Sequence, residues 1–272
     1  MILKCQSALL IFCLLSFSAG QVQADDLVKE SVITANLPER SISALVTELA
    51  VHDALKRAIV LMPGSPGIMK IQSPETFSLK GNFLIRTRKY WLDRETIVFS
   101  MDAPTDEWRG FNGRFRSGTR YAEDVRGLFQ EIEKTYGKLP LVIVGTSEGS
   151  VSAYFVAKAL NAENIKVIFT SSLFNSSNNS FGLASLDFDD FKAPMLWVHH
   201  ADDGCRFTPF WQAKRHAEKT GAPLITVKAS NTGRGDPCEA FSQHGYVGAE
   251  EETVRAMNNW VANGIAADVV VP

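Results

Sequence analysis

The chain has 272 residues, of which 45% are hydrophobic, and a formal net charge of −2. This length and composition are typical of one globular domain with a large core, and exclude a disordered or fibrous chain. The nearly balanced charge gives no reason to expect a polyanion such as nucleic acid as a partner.

Residues 1–24 have the pattern of a signal peptide. Lys4 supplies a positive charge, residues 8–17 are too short an apolar stretch to span a membrane comfortably, and Val-Gln-Ala at 22–24 fits a cleavage site. We therefore expect export to the periplasm or beyond, with residues 25–272 as one mature domain. A membrane anchor is the alternative, but no later stretch is apolar for long enough to span a bilayer.

Two cysteines, Cys205 and Cys238, remain after removal of this segment. An even pair in an oxidising compartment indicates a disulfide. A zinc site is not expected, because the chain has no Cys-x-x-Cys motif.

Short apolar runs alternate with helical patterns along the mature chain. The polar residues 25–40 are predicted to be an extended lead-in. Strands are predicted at 41–51, 58–62, 96–99, 141–144, 165–170, 195–198 and 224–227, and helices at 82–92, 121–136, 151–160, 208–221 and 249–261. This alternation predicts an α/β fold in which a mostly parallel sheet has helices on both faces.

The fourth of these strands leads into Gly-x-Ser-x-Gly at residues 145–149, and a helix follows. The motif alone is short and occurs by chance. Between a strand and a helix it is typical of a nucleophile elbow, which exposes the serine Oγ on a strained turn above the sheet. The pattern therefore predicts Ser147 as a nucleophile.

A serine hydroxyl needs a base to take its proton, and histidine has the appropriate pKa. Of the five histidines, His52 lies on a connection and His216 in a helix beside basic residues, where we expect it to be solvated. His199 and His200 are neighbours on a strand and point to opposite faces, which argues against a shared metal site. His244, in the loop after the last predicted strand, is the remaining candidate.

The imidazole needs a carboxylate that sets its tautomer. Asp202 and Asp203 both follow the penultimate predicted strand. The usual strand-end pattern has the acid three residues after a glycine-like position, held here by His200, and this favours Asp203 over Asp202. A Cys205–Cys238 bridge would tie the acid loop to the base loop.

These motifs resemble the α/β-hydrolases, and in particular exported single-domain bacterial serine hydrolases. The matching segments are Pro63-Gly-Ser-Pro-Gly67, Asp102-Ala-Pro104, Gly145-Thr-Ser-Glu-Gly149, His199-His-Ala-Asp-Asp-Gly-Cys205 with Thr208-Pro209, and Cys238 with His244-Gly245. The resemblance covers nearly all of the mature chain. It implies an α/β-hydrolase fold with a minimal cap or none, and a Ser147–His244–Asp203 triad in the family's chain order.

The resemblance also implies an oxyanion loop at residues 63–67, directly after a core strand. The implied donors are the backbone N–H groups of Ser65 and Glu148, although a plain strand-ending turn is the alternative for the loop. The Glu148 carboxylate would oppose negative charge at the site unless it pointed away. We expect it to pair with an arginine from residues 109–120.

The sequence thus predicts an exported serine hydrolase, carboxylesterase-like, that uses an acyl-enzyme and no cofactor. Its expected partner is a small-molecule carboxylic ester, or a related thioester or amide, because this fold hosts many activities. The segment 105–119 carries aromatic residues and arginines, which would suit a carboxylate-bearing substrate or simply form a surface loop. The alternative function is that of a non-catalytic binding protein on the same fold.

Overall fold

The computed structural model describes residues 27–161, 164–177 and 180–272, so the predicted signal segment lies outside the described residues. The strands are β1 (Val28–Leu37), β2 (Arg40–Leu49), β3 (Arg57–Met62), β4 (Thr96–Met101), β5 (Leu141–Thr146), β6 (Ile165–Thr170), β7 (Met195–His200), β8 (Leu224–Ala229) and β9 (Val269–Val271). The α-helices are α1 (Phe83–Arg86), α2 (Gly113–Arg116), α3 (Thr119–Tyr136), α4 (Gly149–Leu160), α5 (Phe210–Thr220) and α6 (Glu250–Asn263).

The nine strands of the described residues form one sheet in the order β1-β2-β4-β3-β5-β6-β7-β8-β9. β2 is antiparallel to both β1 and β4, and the other neighbouring pairs are parallel. The carboxyl ends of β3, β5 and β7 therefore meet at one edge of the sheet. The predicted mostly parallel sheet is confirmed.

Side chains alternate between the two faces of the sheet, as strand geometry requires. Val60 and Ile143 pack in the core beneath α3, α4 and α5. Their chain neighbours Ile59 and Val142 pack in the opposite core, with α1 and α6. Because both faces are covered, the central strands are almost continuously apolar, which made them recognisable in the sequence.

The predicted amphipathic helix is α3. Its buried side chains include Tyr121, Val125, Leu128 and Ile132, which lie at helical spacing on one face. It ends at Gly137, which has a φ of +79° that glycine adopts without a steric penalty. This helix brings the chain back to the start of β5 and hence to the elbow.

Two strands escaped prediction. The polar lead-in contains β1, whose ten residues pair with β2 at the edge of the sheet. The short β9 pairs with β8 at the opposite edge, so the predicted last strand at 224–227 is not the last. Edge strands need not be apolar on both faces, and the mixed polar sequence of β1 concealed it. β9 is apolar but only three residues long, too short a run to indicate a strand.

The segment between β6 and β7 contains, within its described residues, a single 3-10 helix at Leu183–Ser185. This agrees with the predicted minimal cap. Among the described residues, none of the helices combines the length and the hydropathy needed to cross a membrane.

Candidate active site

The elbow has the strained geometry that its sequence predicts. Ser147 lies between β5 and α4 with a φ of +53°, a conformation that non-glycine residues seldom adopt. Its N–H donates to the carbonyl oxygens of Thr170 and Ser171, each at 3.1 Å. A Cβ added to Gly149 would lie only 2.1 Å from the Met62 carbonyl oxygen, so α4 starts in direct contact with the end of β3.

The two residues predicted as acid and base, Asp203 and His244, come together from two loops. The Asp203 side chain is fully buried, and its Oδ2 accepts a hydrogen bond from His244 Nδ1 at 3.0 Å. Asp202 is exposed, and within the described residues it makes no contact with His244. Geometry therefore selects Asp203 as the partner of His244.

Two further groups hold the Asp203 carboxylate. Thr208 Oγ1 donates to Oδ2 at 2.9 Å and lies 3.1 Å from His244 Nδ1. His199 Nε2 lies 3.3 Å from the same Oδ2 and 2.7 Å from the Thr208 carbonyl oxygen, which can only accept, so this nitrogen carries a proton. Burial raises the pKa of Asp203, but the hydrogen bonds and charges of His199 and His244 lower it well below its usual range. The carboxylate is therefore ionised across the ordinary pH range.

Ser147 and His244 both line a cleft of about 780 Å³ at the carboxyl edge of the sheet. Among the described residues no hydrogen bond joins Ser147 Oγ to the imidazole, a contact that often tightens only in a substrate complex. The walls of the cleft are about equally polar and apolar, and the aromatic residues Phe83, Phe111, Phe207 and Phe241 are among those that line it.

Comparison with known proteins supports a fold but no narrower family. No protein-family model matches the chain, and no curated protein matches its sequence. A cold-adapted esterase from an Arctic intertidal metagenomic library is 14% identical, with a TM-score of 0.57 over 86% of this chain and 94% of that one. The dienelactone hydrolase of Anabaena variabilis is 13% identical, with a TM-score of 0.57 over 87% of this chain and 98% of that one.

A third similar structure is an α/β serine hydrolase without a lid from Xanthomonas campestris. It is 14% identical, with a TM-score of 0.54 over 84% of this chain and 94% of that one. The chain has the α/β-hydrolase fold. At these identities the likeness concerns the fold, and the chemistry has to be argued from the site itself.

In this α/β-hydrolase fold the loop 63–67 lies against the elbow. A Cβ added to Gly64 would be 2.9 Å from Ser147 Cβ, so only glycine allows this approach. The next residue, Ser65, lines the cleft, as does Glu148. Neither of their backbone N–H groups donates to another described residue, so both remain available to a ligand.

The Glu148 carboxylate contacts residues 113 and 116 and does not contact Ser147. Its Oε1 accepts the N–H of Gly113 at 3.0 Å, and its Oε2 lies 3.8 Å from Arg116 Nε. Arg116 is thus the arginine partner expected from residues 109–120. The negative charge of Glu148, the residue after Ser147, is therefore balanced by the guanidinium of Arg116.

The structure contains the predicted Cys205–Cys238 disulfide, which joins positions 33 residues apart. The N–H of Cys205 donates to Asp203 Oδ1 at 2.9 Å. Cys238 lies in the loop that leads to His244. The bridge therefore links the loop of the acid to the loop of the base, as predicted.

Sequence reasoning misjudged or overlooked several residues around the site. His216 is buried, not solvated, because its ring packs against Phe174 and Trp197 and its Nδ1 lies 2.8 Å from the Gln212 carbonyl oxygen. Burial lowers its pKa. His199 was considered only for metal binding, although its position four residues before Asp203 was a usable signal. Among the described residues, no group of His, Cys, Asp and Glu is arranged to hold a metal ion.

Proposed function

We propose that this protein is a serine hydrolase that cleaves a carboxylic ester, or a related thioester or amide. The proposal assigns Ser147 as nucleophile, His244 as base and Asp203 as the acid that orients it. The observation that carries it is the 3.0 Å Asp203–His244 hydrogen bond at the wall of the cleft onto which the Ser147 elbow opens. Similar folds that are described as esterases and serine hydrolases support the reaction class.

The reaction proceeds in two halves. Ser147 Oγ attacks the carbonyl carbon as His244 Nε2 takes its proton, and the carbonyl oxygen becomes an oxyanion. The backbone N–H groups of Ser65 and Glu148 stabilise that oxyanion, at roughly 3 kcal/mol for each donor. The intermediate collapses, the bond to the leaving alcohol breaks, and His244 donates its proton to that alcohol. An acyl-enzyme remains.

Water then replaces the alcohol. His244 takes a proton from water, the hydroxyl oxygen attacks the acyl carbon, and collapse releases the carboxylic acid while Ser147 regains its proton. Asp203 stays ionised throughout and keeps a proton on His244 Nδ1, so that Nε2 can act as the base. Its lowered pKa suits this role. All steps use groups of this chain, and none needs a cofactor.

Labelling with a fluorophosphonate tests the proposal, because such probes react with activated serines. We expect stoichiometric labelling of the wild-type protein and loss of labelling in Ser147→Ala. The wild-type protein should hydrolyse p-nitrophenyl acetate, and Ser147→Ala should not. No labelling of the folded, oxidised protein would refute the hydrolase and favour a binding protein on the same fold. A panel of esters with different acyl lengths then defines the substrate.

We also propose that the protein is exported and that residues 25–272 are its mature domain. The Cys205–Cys238 disulfide supports this, because such bonds persist in oxidising compartments. Intact-mass measurement of protein recovered from the periplasm or medium tests it. We expect a mature chain that begins at Asp25, and a chain that retains residues 1–24 in the membrane fraction would refute it.

A further inference from the structure

A buried arginine lies between the two segments that carry the proposed oxyanion donors. The side chain of Arg116 is 1% exposed. Its Nη1 donates to the Pro63 carbonyl oxygen at 3.2 Å and to Ser152 Oγ at 3.0 Å. Pro63 begins the loop 63–67, and Ser152 lies in the first turn of α4. One guanidinium nitrogen therefore links the oxyanion loop to the helix that follows the nucleophile.

The same guanidinium contacts the far end of that loop and the residue after the nucleophile. Gly67 has a φ of +67°, and a Cβ there would lie 2.0 Å from Arg116 Nη2. On the other side, Nε lies 3.8 Å from Glu148 Oε2. The loop thus wraps around the guanidinium, while Glu148 balances its charge.

The burial of the Arg116 charge is only partly compensated, and the Phe111 ring centroid, 4.1 Å from the guanidinium carbon, supplies part of that compensation. Burial lowers the pKa of Arg116, an effect that the charge of Glu148 opposes. Within the described structure, Nε and Nη2 have no hydrogen-bond partner. A well-packed apolar side chain often serves as well as a buried ion pair, so such a pair is weak evidence for a purely stabilising role. Its contacts with both donor segments indicate a role in their geometry.

We propose that Arg116 and Glu148 form a positioning pair that sets the spacing between the Ser65 and Glu148 backbone N–H groups. The inference rests on the proposed function. Donors stabilise an oxyanion only when both lie within about 2.7–3.1 Å of it. A loosened loop would therefore weaken the transition state much more than it weakens binding of the uncharged ester. The pair also keeps the Glu148 carboxylate from opposing the developing charge.

The test compares Glu148→Gln, the double variant Arg116→Met with Glu148→Gln, and the control Arg120→Met. Glu148→Gln is isosteric and keeps an acceptor for the Gly113 N–H, so it should fold. The double variant leaves no unpaired buried charge. The Arg120 side chain is 40% exposed and pairs with the carboxylates of Asp106 and Glu107, and at 3.9 Å with that of the buried Asp124. Each protein is assayed for kcat and KM with p-nitrophenyl acetate and for inhibition by a trifluoromethyl ketone, which forms a tetrahedral oxyanion adduct with a serine.

Complete loss of one donor lowers kcat by about 10²–10³-fold. We expect a partial effect, roughly 10-fold for Glu148→Gln and roughly 100-fold for the double variant, with KM within about threefold of wild type. The inhibition constant of the ketone should rise in parallel with the loss in kcat. A change that only destabilises the fold would lower kcat without raising the inhibition constant. Arg120→Met should match the wild-type protein.

A rise in kcat for Glu148→Gln would overturn the inference, because it would mean that the carboxylate opposes the oxyanion. Unchanged kcat and ketone inhibition in the folded double variant would also overturn it and leave the hydrolase intact. A wild-type protein that neither hydrolyses the ester nor reacts with fluorophosphonate would instead refute the proposed function, and the inference with it.

Discussion

Replacing Asp203 by asparagine removes one negative charge and leaves the shape of the side chain nearly unchanged. In the structure, Oδ1 accepts the Cys205 N–H at 2.9 Å. Oδ2 faces the Thr208 hydroxyl at 2.9 Å, His244 Nδ1 at 3.0 Å and His199 Nε2 at 3.3 Å. An asparagine has one acceptor oxygen for these two sets of donors, so neither orientation of its amide satisfies both.

If the amide oxygen keeps the Cys205 N–H, the NH₂ group faces the His244 ring. An NH₂ group there favours the tautomer with an unprotonated Nδ1, and Nε2 then carries a proton and cannot accept one from Ser147. In serine hydrolysis of this type the wrong tautomer lowers kcat by roughly 10⁴-fold. That factor corresponds to about 5.5 kcal/mol of transition-state stabilisation.

The assay is kcat for p-nitrophenyl acetate, with circular dichroism to show that each variant is folded at the assay temperature. Asp202→Asn is the matched control, since it removes the same charge from an exposed neighbour. Surface substitutions usually change energies by less than about 0.5 kcal/mol, so its kcat should stay within about threefold of wild type. A larger loss in Asp202→Asn than in Asp203→Asn would refute the assignment, as would a folded Asp203→Asn that keeps a tenth of wild-type activity.

Gly149→Ala should lower the free energy of unfolding by about 1–3 kcal/mol, because its Cβ would meet the Met62 carbonyl oxygen at 2.1 Å. Gly127 lies within α3, and a Cβ there would meet only the Cδ2 tip of Leu37 in β1 at 3.0 Å, so Gly127→Ala should melt at or above the wild-type temperature. Equal melting temperatures for the two variants would contradict the close contact of Gly149 with β3. Replacing Cys205 and Cys238 with serine should cost about 3–4 kcal/mol by urea titration, since the bridge joins positions 33 residues apart. The same variant should also have a lower kcat, and an unchanged kcat in the folded variant would leave the bridge a role in stability alone.

Much of the fold could be predicted because its signals are local. The central strands are apolar on both faces and stand out as short continuous runs, and α3 has an unmistakable helical period. Strand β1 lacks such a local signal. Its ten residues are mostly part-exposed, and what makes them a strand is the long partner β2 beside them. Pairing of this kind between two segments cannot be recognised from the polar sequence of one of them.

The site residues also fall into two groups, those with a local sequence signal and those whose place depends on tertiary packing. Ser147 was predicted from a strand, five residues of motif and a helix, and His244 from its place after the last predicted strand. The preference for Asp203 over Asp202 rested on a spacing, and in the structure it is Asp203 that contacts His244. Arg116 was one of several arginines in a loop-like segment, with no sequence feature that distinguished it.

By itself, the sequence determined the order of the central strands and the main helices, the elbow, and the candidates for base and acid. These depend on local periodicity, turn chemistry and chain order. The tertiary structure alone decided that His199 and Thr208 share the carboxylate of Asp203, and that Arg116 lies between the oxyanion loop and the elbow. The reason is physical: most of a side chain's partners, its burial and its charge environment arise only when segments distant in the chain pack together.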